Sequence, residues 1–451
     1  MIVMKFGGSS VANAERIRHV ADIVARRIAE KPVLVLSAMG DTTDHLLEAA
    51  DKALNEGLVV TDSIEKLHLD TVKELGLEST GLGEVTALLK ELNTLLTGIS
   101  MIKELTGKTR DYLVSFGERL SVRIVAAYLN SISIQARALD SWDAGFLSDS
   151  NFSSAELEKD SWNLIPKALL PLIGGGLVPV VTGFIARDRQ GNITTLGRGG
   201  SDLSATMIAS ALKADEAQVW KDVDGILTAD PRLVKKARPV ETVTYEEAAE
   251  LAYFGAQVLH PRAMQPCIKT GTPVRVKNSY NPDAPGTRIV GSLDKKAGPV
   301  RAITSRKNVT LVDIVSTRMV GQHGFLAEVF TTFAEHKLSV DMVATSEVSV
   351  SLTLDADHEL GALKQDLSRI ASVEIRTGKA IVTIVGDVRR SSEILQRAFG
   401  TCVLLGIQVQ MISQGASKVN ISFIVDDTQA GEVVIALHKC FFEPLSKEER
   451  L

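Results

Sequence analysis

The chain opens Met1-Ile2-Val3-Met4-Lys5-Phe6-Gly7-Gly8-Ser9-Ser10-Val11-Ala12, an apolar run that ends on a lysine and breaks into two glycines. Such a run reads as a strand, and the glycines as a tight turn into the next element. Residues 12–31 read as a helix, with Ile17, Val20, Ala21, Val24 and Ile28 on one stripe and charges opposite. Pro32-Val33-Leu34-Val35-Leu36-Ser37 is a second continuous apolar run, as for a strand buried on both faces. Strand, helix, strand, with a polar loop after each strand, is a βαβ opening. Apolar runs at 133–139, 178–184, 217–220 and 273–276, with helical stretches at 203–212 and 245–253, extend the pattern. Residues 1–290 are therefore expected to form one α/β domain, an open, mostly parallel sheet sandwiched by helices.

The texture then changes. Residues 278–286 form a turn-rich stretch and 292–299 are polar and basic, so 291–307 is expected to be a linker. Two similar segments follow, 308–378 and 379–451. Each reads strand–helix–strand–strand–helix–strand. Val340-Asp341-Met342 in the first matches Val409-Gln410-Met411 in the second, and in both a serine-containing strand then runs to an aspartate, Asp355 or Asp426. A duplicated α+β unit is expected, with strands that could be exchanged between copies.

The 451 residues fit two or three domains. With 45% hydrophobic and 23% charged residues the chain can fill a core. A net charge of −5 gives no electrostatic reason to expect nucleic acid or an anionic membrane. Cys267, Cys402 and Cys440 have neither zinc nor disulfide spacing, which points to a reducing compartment. No apolar run of membrane-crossing length stands out, and Met1-Ile2-Val3-Met4 is too short for a signal h-region. A soluble cytoplasmic protein is expected.

Four strand-end or helical motifs carry candidate chemistry. Lys5 before Gly7-Gly8 could neutralise phosphate where backbone N–H groups favour an anion; a tight turn with a solvated lysine reads equally well. Gly197-Arg198-Gly199-Gly200-Ser201-Asp202 combines an arginine suited to gripping a carboxylate with glycines that admit close backbone approach, while capping alone would need only Ser201 or Asp202. Lys221, Asp222 and Arg232 flank a loop with Asp-Gly and Asp-Pro turns, which taken alone reads as polar surface. Glu118 in Ser115-Phe116-Gly117-Glu118 could accept from an ammonium group or simply face solvent. No Walker A or protein-kinase signature is present. Together the motifs describe an open α/β sheet whose strand ends hold a ligand.

Taken in order, Lys5–Ser10, Ser115–Glu118, Gly197–Asp202, the Asp222–Arg232 loop and Phe254–Pro261 resemble the motifs of aspartate kinases (aspartokinases). The resemblance covers essentially the whole chain, because the two C-terminal repeats resemble that family's paired ACT domains. It is nearest to the monofunctional, lysine-sensitive branch with plant-like features. It implies ATP-dependent phosphorylation of the β-carboxylate of L-aspartate, the first step towards lysine, threonine and methionine, with Mg²⁺ accompanying ATP and no protein-only metal site. Lys5 and Asp202 fall at the catalytic positions. Thr43, Glu118, Arg198, Gly199, Gly200 and Ser201 fall at substrate positions. Lys5, Gly7, Gly8, Lys221, Asp222, Leu227, Arg232, Gln257 and Val258 fall at nucleotide positions. Lys221, Leu227 and Gln257 depart from the threonine, tyrosine and lysine common in bacterial members.

In the first repeat Met319, Phe325, Leu326, Ser339, Val340, Asp341, Ser346 and Glu347 match lysine-sensor positions, which implies feedback inhibition by L-lysine. Paired ACT domains further imply a homodimer or tetramer. The rivals are another amino-acid kinase and a catalytically inactive ACT-based amino-acid sensor. Intact Lys5, Arg198 and Asp202 argue against the second, and the ACT pair with Ser-Phe-Gly-Glu argues against the first.

Overall fold

Strand β1 (Ile2–Phe6) is buried at every position and sits mid-sheet, flanked by β2 (Val33–Leu36) and β8 (Glu216–Lys221), both parallel to it. That placement explains why every residue of the strand but Lys5 is apolar. The computed structural model describes residues 1–253, 259–293, 298–316, 323–355, 360–414 and 419–443. The chain divides into two compact units, Met1–Ile226 with Glu241–Tyr245 and Val258–Leu293, and Leu227–Val240 with Glu246–Gln257 and Asp294–Leu451.

In the first unit α1 (Ala14–Ala25) joins β1 to β2, and four helices follow: α2 (Thr42–Asn55), α3 (Asp62–Glu74), α4 (Leu82–Ile102) and α5 (Gly107–Ser131). Then come β3 (Ala136–Leu139), β4 (Leu147–Ser148), α6 (Ser161–Gly174), β5 (Val178–Thr182), β6 (Ile185–Asp188), β7 (Ile193–Thr195), α7 (Gly200–Ala211) and β8. β9 (Thr242–Thr244), α9 (Pro261–Thr270), β10 (Val274–Asn278) and β11 (Thr287–Val290) complete the unit, while α8 (Tyr245–Tyr253), which follows β9 in the chain, belongs beyond Tyr245 to the second unit. Eight strands align in the order β3-β5-β2-β1-β8-β10-β11-β9, parallel except at β10–β11. The expected mostly parallel sheet is present.

Three local expectations change. The first helix is shorter than 12–31: α1 stops at Ala25, and Ile28 is 45% exposed while Ile17, Val20, Ala21 and Val24 are fully buried. The chain leaves the helix through a short 3-10 turn and a left-handed Lys31 to enter β2, which swings Ile28 off the stripe. Gly7-Gly8 opens a single 3-10 turn, Gly8–Val11, and the α-helix starts only after the Asn13 cap. Finally, α4 is 21 residues and holds an 18-residue stretch of mean hydropathy 1.2, long and apolar enough to cross a membrane. Its stripe Val85, Leu88, Leu89, Leu92, Leu96 and Ile99 is instead buried in the core of the unit.

The second unit is built on one six-stranded sheet, order β13-β14-β12-β15-β17-β16. Its elements are β12 (Val300–Val315), α10 (Phe325–Glu335), β13 (Val343–Thr345), β14 (Ser349–Asp355), α11 (Gly361–Leu367), β15 (Ser372–Gly386), α12 (Ser391–Leu404), β16 (Met411–Ser413), β17 (Asn420–Asp426) and α13 (Asp427–Phe442). β12 and β15 are long because each serves both repeats. The far half of β12 pairs with β14 and the near half of β15, whereas the near half of β12 pairs with the far half of β15. Residues 300–306, expected in the linker, are thus strand, and they supply the sixth element that the second repeat lacks at its own end. The order β13-β14-β12-β15 and the order β16-β17-β15-β12 are the same pattern read twice across one shared pair, and only the second repeat takes a strand half from outside its own segment.

Candidate active site

Lys5 is the one charged residue in β1, 8% exposed. Its Nζ meets Asp202 Oδ1 at 2.8 Å, and Lys221 Nζ, at the end of β8, lies 3.7 Å from Asp202 Oδ2. Asp202 stands in the first turn of α7, where unpaired N–H groups favour negative charge. Burial alone would raise its pKa, but Lys5 and then Lys221 outweigh burial and hold it below the ordinary value. Burial lowers the Lys221 pKa; Asp202 opposes that shift and Lys5 adds to it. One carboxylate therefore holds two ammonium groups together, an arrangement suited to a polyanion.

The glycines around this pair are required by close approach. A Cβ on Gly8 would lie 2.8 Å from Ala38 O and 2.9 Å from Gly40 O. Gly40 N–H also donates to Gly8 O at 3.1 Å, so the loops after β1 and β2 are locked backbone to backbone. Gly199, at φ +73°, leaves no room for a side chain, since a Cβ there would meet His260 Cβ at 2.8 Å. His260 itself caps α9, its Nδ1 accepting from Arg262 N–H at 3.2 Å.

The Ser-Phe-Gly-Glu motif docks α5 onto the end of β2. A Cβ on Gly117 would stand 2.6 Å from Ala38 Cβ, and the Ala38 N–H donates to Glu118 Oε1 at 3.2 Å. Glu118 is 3% exposed, and its Oε2 has no hydrogen-bond partner among the described residues. Burial pushes its pKa up to about 8, with the Ala38 N–H and Lys5 pulling the other way.

These groups face one cavity of about 720 Å³, whose wall holds Lys5, Gly8, Thr43, Glu118, Arg198, Gly199, Gly200, Ser201 and Asp202. Arg198 is exposed and has no ion-pair partner among the described residues. Ser37 Oγ donates to Ser201 Oγ at 3.1 Å. The structure thus brings together every residue expected at the substrate positions.

The nucleotide positions divide. Gly7 precedes the 3-10 turn, Lys221 joins through Asp202, and Asp222 is exposed in the loop after β8. Leu227 and Arg232 belong to the second unit, where Arg232 is engaged with Asp230 at 2.7 Å. Gln257 and Val258 lie outside the described residues. Sequence reasoning missed Ser37, Ala38, Asp111 and Phe184 in the wall. Phe184 has a left-handed backbone, φ +67°, which nothing in its residue type announces. Asp111 had a readable signal, standing two helical turns before Glu118 on the same face of α5.

In the second unit Gly324, at φ +92°, caps α10, so Phe325 begins the helix and is buried while Leu326 is 40% exposed. Ser339, Ser346 and Glu347 are exposed and Val340 half-buried. Asp341 is already partnered: its Oδ2 accepts from Arg306 Nη1 at 3.0 Å, and its Oδ1 accepts from the Tyr253 hydroxyl. Gln410, at the matching position of the other repeat, accepts from Arg376 Nη1 at 3.2 Å. Met319 lies outside the described residues.

Fold and site define an amino-acid kinase with a regulatory pair. Residues 1–278 match the model of the amino acid kinase family, and 312–365 with 382–441 match an ACT domain model. Aspartokinase 1, chloroplastic, of Arabidopsis thaliana is 51% identical over 458 residues, covering 98% of this chain and 80% of the relative. The crystal structure of E. coli aspartokinase III in complex with aspartate and ADP superposes with a TM-score of 0.79 at 33% identity, covering 98% of this chain and 100% of that one. The same enzyme in complex with lysine and aspartate gives 0.82 at 34% identity over the same shares. The chain belongs to the aspartokinases.

Proposed function

We propose that this kinase transfers the γ-phosphoryl group of ATP to the β-carboxylate of L-aspartate in the cavity built on Lys5, Asp202 and Glu118, and that L-lysine inhibits it through the ACT pair. The observation that carries the catalytic half is the Lys5–Asp202 ion pair at 2.8 Å, in one cavity with Glu118 and Arg198. The E. coli complexes with aspartate and ADP, and with lysine and aspartate, support both halves.

The aspartate side chain ionises near a pKa of about 3.9, so the nucleophile needs no general base at neutral pH. The obstacle is bringing an anion to a polyanion, and positioning with charge neutralisation removes it. Arg198 grips the α-carboxylate and the free Oε2 of Glu118 takes the α-ammonium, with Thr43, Gly199, Gly200 and Ser201 completing the substrate wall. The β-carboxylate oxygen attacks the γ-phosphorus as the bond to the bridging oxygen of ADP breaks. Lys5, held by Asp202, neutralises the transferring oxygens, and Lys221 and the backbone at Gly7 and Gly8 face the phosphates. The cradle at Gly8, which a Cβ would fill, fits this group. Mg²⁺ bound to ATP would add charge neutralisation. The assignments of Asp222, Leu227, Arg232, Gln257 and Val258 to the nucleotide rest on the resemblance.

For the effector, the two repeats match in backbone and differ in charge. Asp341 N–H donates to Thr353 O and Gln410 N–H to Ile424 O, each at 2.9 Å, yet only the first repeat offers a carboxylate there. An ε-ammonium would bind Asp341 by displacing Arg306 or Tyr253; the assignment of Met319, Phe325, Leu326, Ser339, Val340, Ser346 and Glu347 to the effector rests on the resemblance. The same reading carries the organisation into a catalytic domain followed by an ACT pair whose shared sheet begins at β12, a homodimeric or tetrameric assembly and a cytoplasmic location. Aspartate-dependent ADP release, run beside glutamate and N-acetylglutamate, tests the substrate. Release with glutamate and not aspartate would move the enzyme to another amino-acid kinase, and release with none would favour an inactive sensor.

A further inference from the structure

Asp111 lies on α5 in the cavity wall, 1% exposed, and none of the substrate assignments uses it. Its Oδ2 accepts from Ser153 N–H and Thr195 N–H, each at 2.8 Å, and its Oδ1 accepts from Thr195 Oγ1 at 3.0 Å and Ser153 Oγ at 3.4 Å. Thr195 ends β7, three residues before Arg198. Asp111, Val114 and Glu118 fall on one helical face and all three line the cavity. A second tie reaches the same loops. Arg262 donates to Leu196 O and to Ala155 O, each at 2.9 Å, and Ala155 N–H donates to Thr195 O at 2.8 Å.

We propose that Asp111 is a positioning residue for substrate binding: by bracing Ser153 and Thr195 against α5 it sets the loop carrying Arg198 at its working distance from Glu118. The proposal rests on the reading of Arg198 and Glu118 as the partners of the α-carboxylate and α-ammonium. Two groups that must grip one small molecule from opposite ends need a fixed separation, and an error of an ångström is costly. The loop after Thr195 runs through Gly197 and Gly199, at φ +72° and +73°, residue types with the widest backbone freedom, so its position depends on ties to its neighbours. Asp111 supplies one such tie from the helix that also carries Glu118.

The test is steady-state kinetics on the full chain for Asp111→Ala, Asp111→Asn, Thr195→Val and Arg198→Ala. Asp111→Ala is expected to raise KM for aspartate about tenfold or more while KM for ATP stays within about twofold. Asp111→Asn, whose amide oxygen still accepts both backbone N–H groups, returns KM for aspartate to within about threefold of the parent. Thr195→Val, which removes a hydroxyl alone, gives an intermediate rise. Equal rises in both KM values, or no rescue by asparagine, would make Asp111 a purely structural residue and overturn the proposal. If Asp111→Ala fails to fold, Thr195→Val decides, and an unchanged KM for aspartate there overturns it. Arg198→Ala separates the proposal from the reading beneath it. If that variant leaves KM for aspartate unchanged, the substrate assignment fails; if it raises KM while the Asp111 and Thr195 variants do not, the assignment stands and the brace fails.

Discussion

The backbone N–H of Ala38 donates to Glu118 Oε1 at 3.2 Å, leaving Oε2 without a hydrogen-bond partner among the described residues, inside a cavity lined by Lys5 and Arg198. Burial pushes its pKa up to about 8, which favours the protonated form of Glu118 in the free enzyme near neutral pH. An ammonium group binds the ionised form, so KM for aspartate should fall as pH rises towards 8, by up to about tenfold per unit. Glu118→Gln should raise KM and flatten that dependence. A flat profile in the parent enzyme would remove the ammonium from Glu118.

The same group makes a stability prediction. Glu118 ionises near 4.5 when unfolded and near 8 when folded, so the folded chain binds the extra proton between those values. Its contribution to stability therefore declines as pH rises from about 5 to about 8. The thermal midpoint of Glu118→Gln, compared with the parent at both ends of that window, should show a relative gain at the alkaline end.

On the proposed reading, Lys5, held in place by Asp202, neutralises the transferring oxygens more strongly in the transition state than in the bound ground state. Lys5→Ala should lower kcat by about 10²–10⁴ with a much smaller change in KM for aspartate. Asp202→Asn removes the charge that gathers Lys5 and Lys221, and should lower kcat while raising KM for ATP. Comparable changes in kcat and KM for Lys5→Ala would count against its role at the transferring group.

Gly117 tests how the Ser-Phe-Gly-Glu motif is built. A methyl group there meets Ala38 Cβ at 2.6 Å, deep in the contact between α5 and the end of β2. Gly117→Ala should destabilise the fold by about 1–3 kcal/mol, read from denaturant unfolding, and raise KM for aspartate by displacing Glu118. An unchanged midpoint would mean the motif glycine is not there for packing.

Arg306 reaches Asp341 from the half of β12 that completes the second repeat, and Arg376 reaches Gln410 from the half of β15 that completes the first. The two positions are counterparts that differ in charge. Asp341→Ala should abolish inhibition by lysine, measured against the variant's own lysine-free rate, while Gln410→Ala should leave the half-inhibitory lysine concentration within about twofold. Equal loss of inhibition in both would place the effector elsewhere.

Much of this was legible in the sequence because buried parallel strands write themselves as unbroken apolar runs: β1, β2 and β5 were visible that way, and Lys5 was conspicuous as the one charge inside such a run. The contribution of β12 to the second repeat was hidden, because pairing partners for 300–306 lie about eighty residues on in β15, and no local pattern reports that distance. Asp111 was overlooked for a related reason. A lone aspartate on a helix looks solvated until the fold brings Ser153 and Thr195 against it. Ile28 misled in the opposite direction, since its spacing fits a helix that the chain has already left.

The most direct test of the account is acyl-phosphate trapping. The full chain is incubated with Mg-ATP, L-aspartate and hydroxylamine, with and without L-lysine, beside Lys5→Ala. Aspartyl hydroxamate formed by the parent, suppressed by lysine and lost in Lys5→Ala is the predicted result. No hydroxamate from the parent with aspartate, or an undiminished yield from Lys5→Ala, would contradict phosphoryl transfer at the Lys5–Asp202 site.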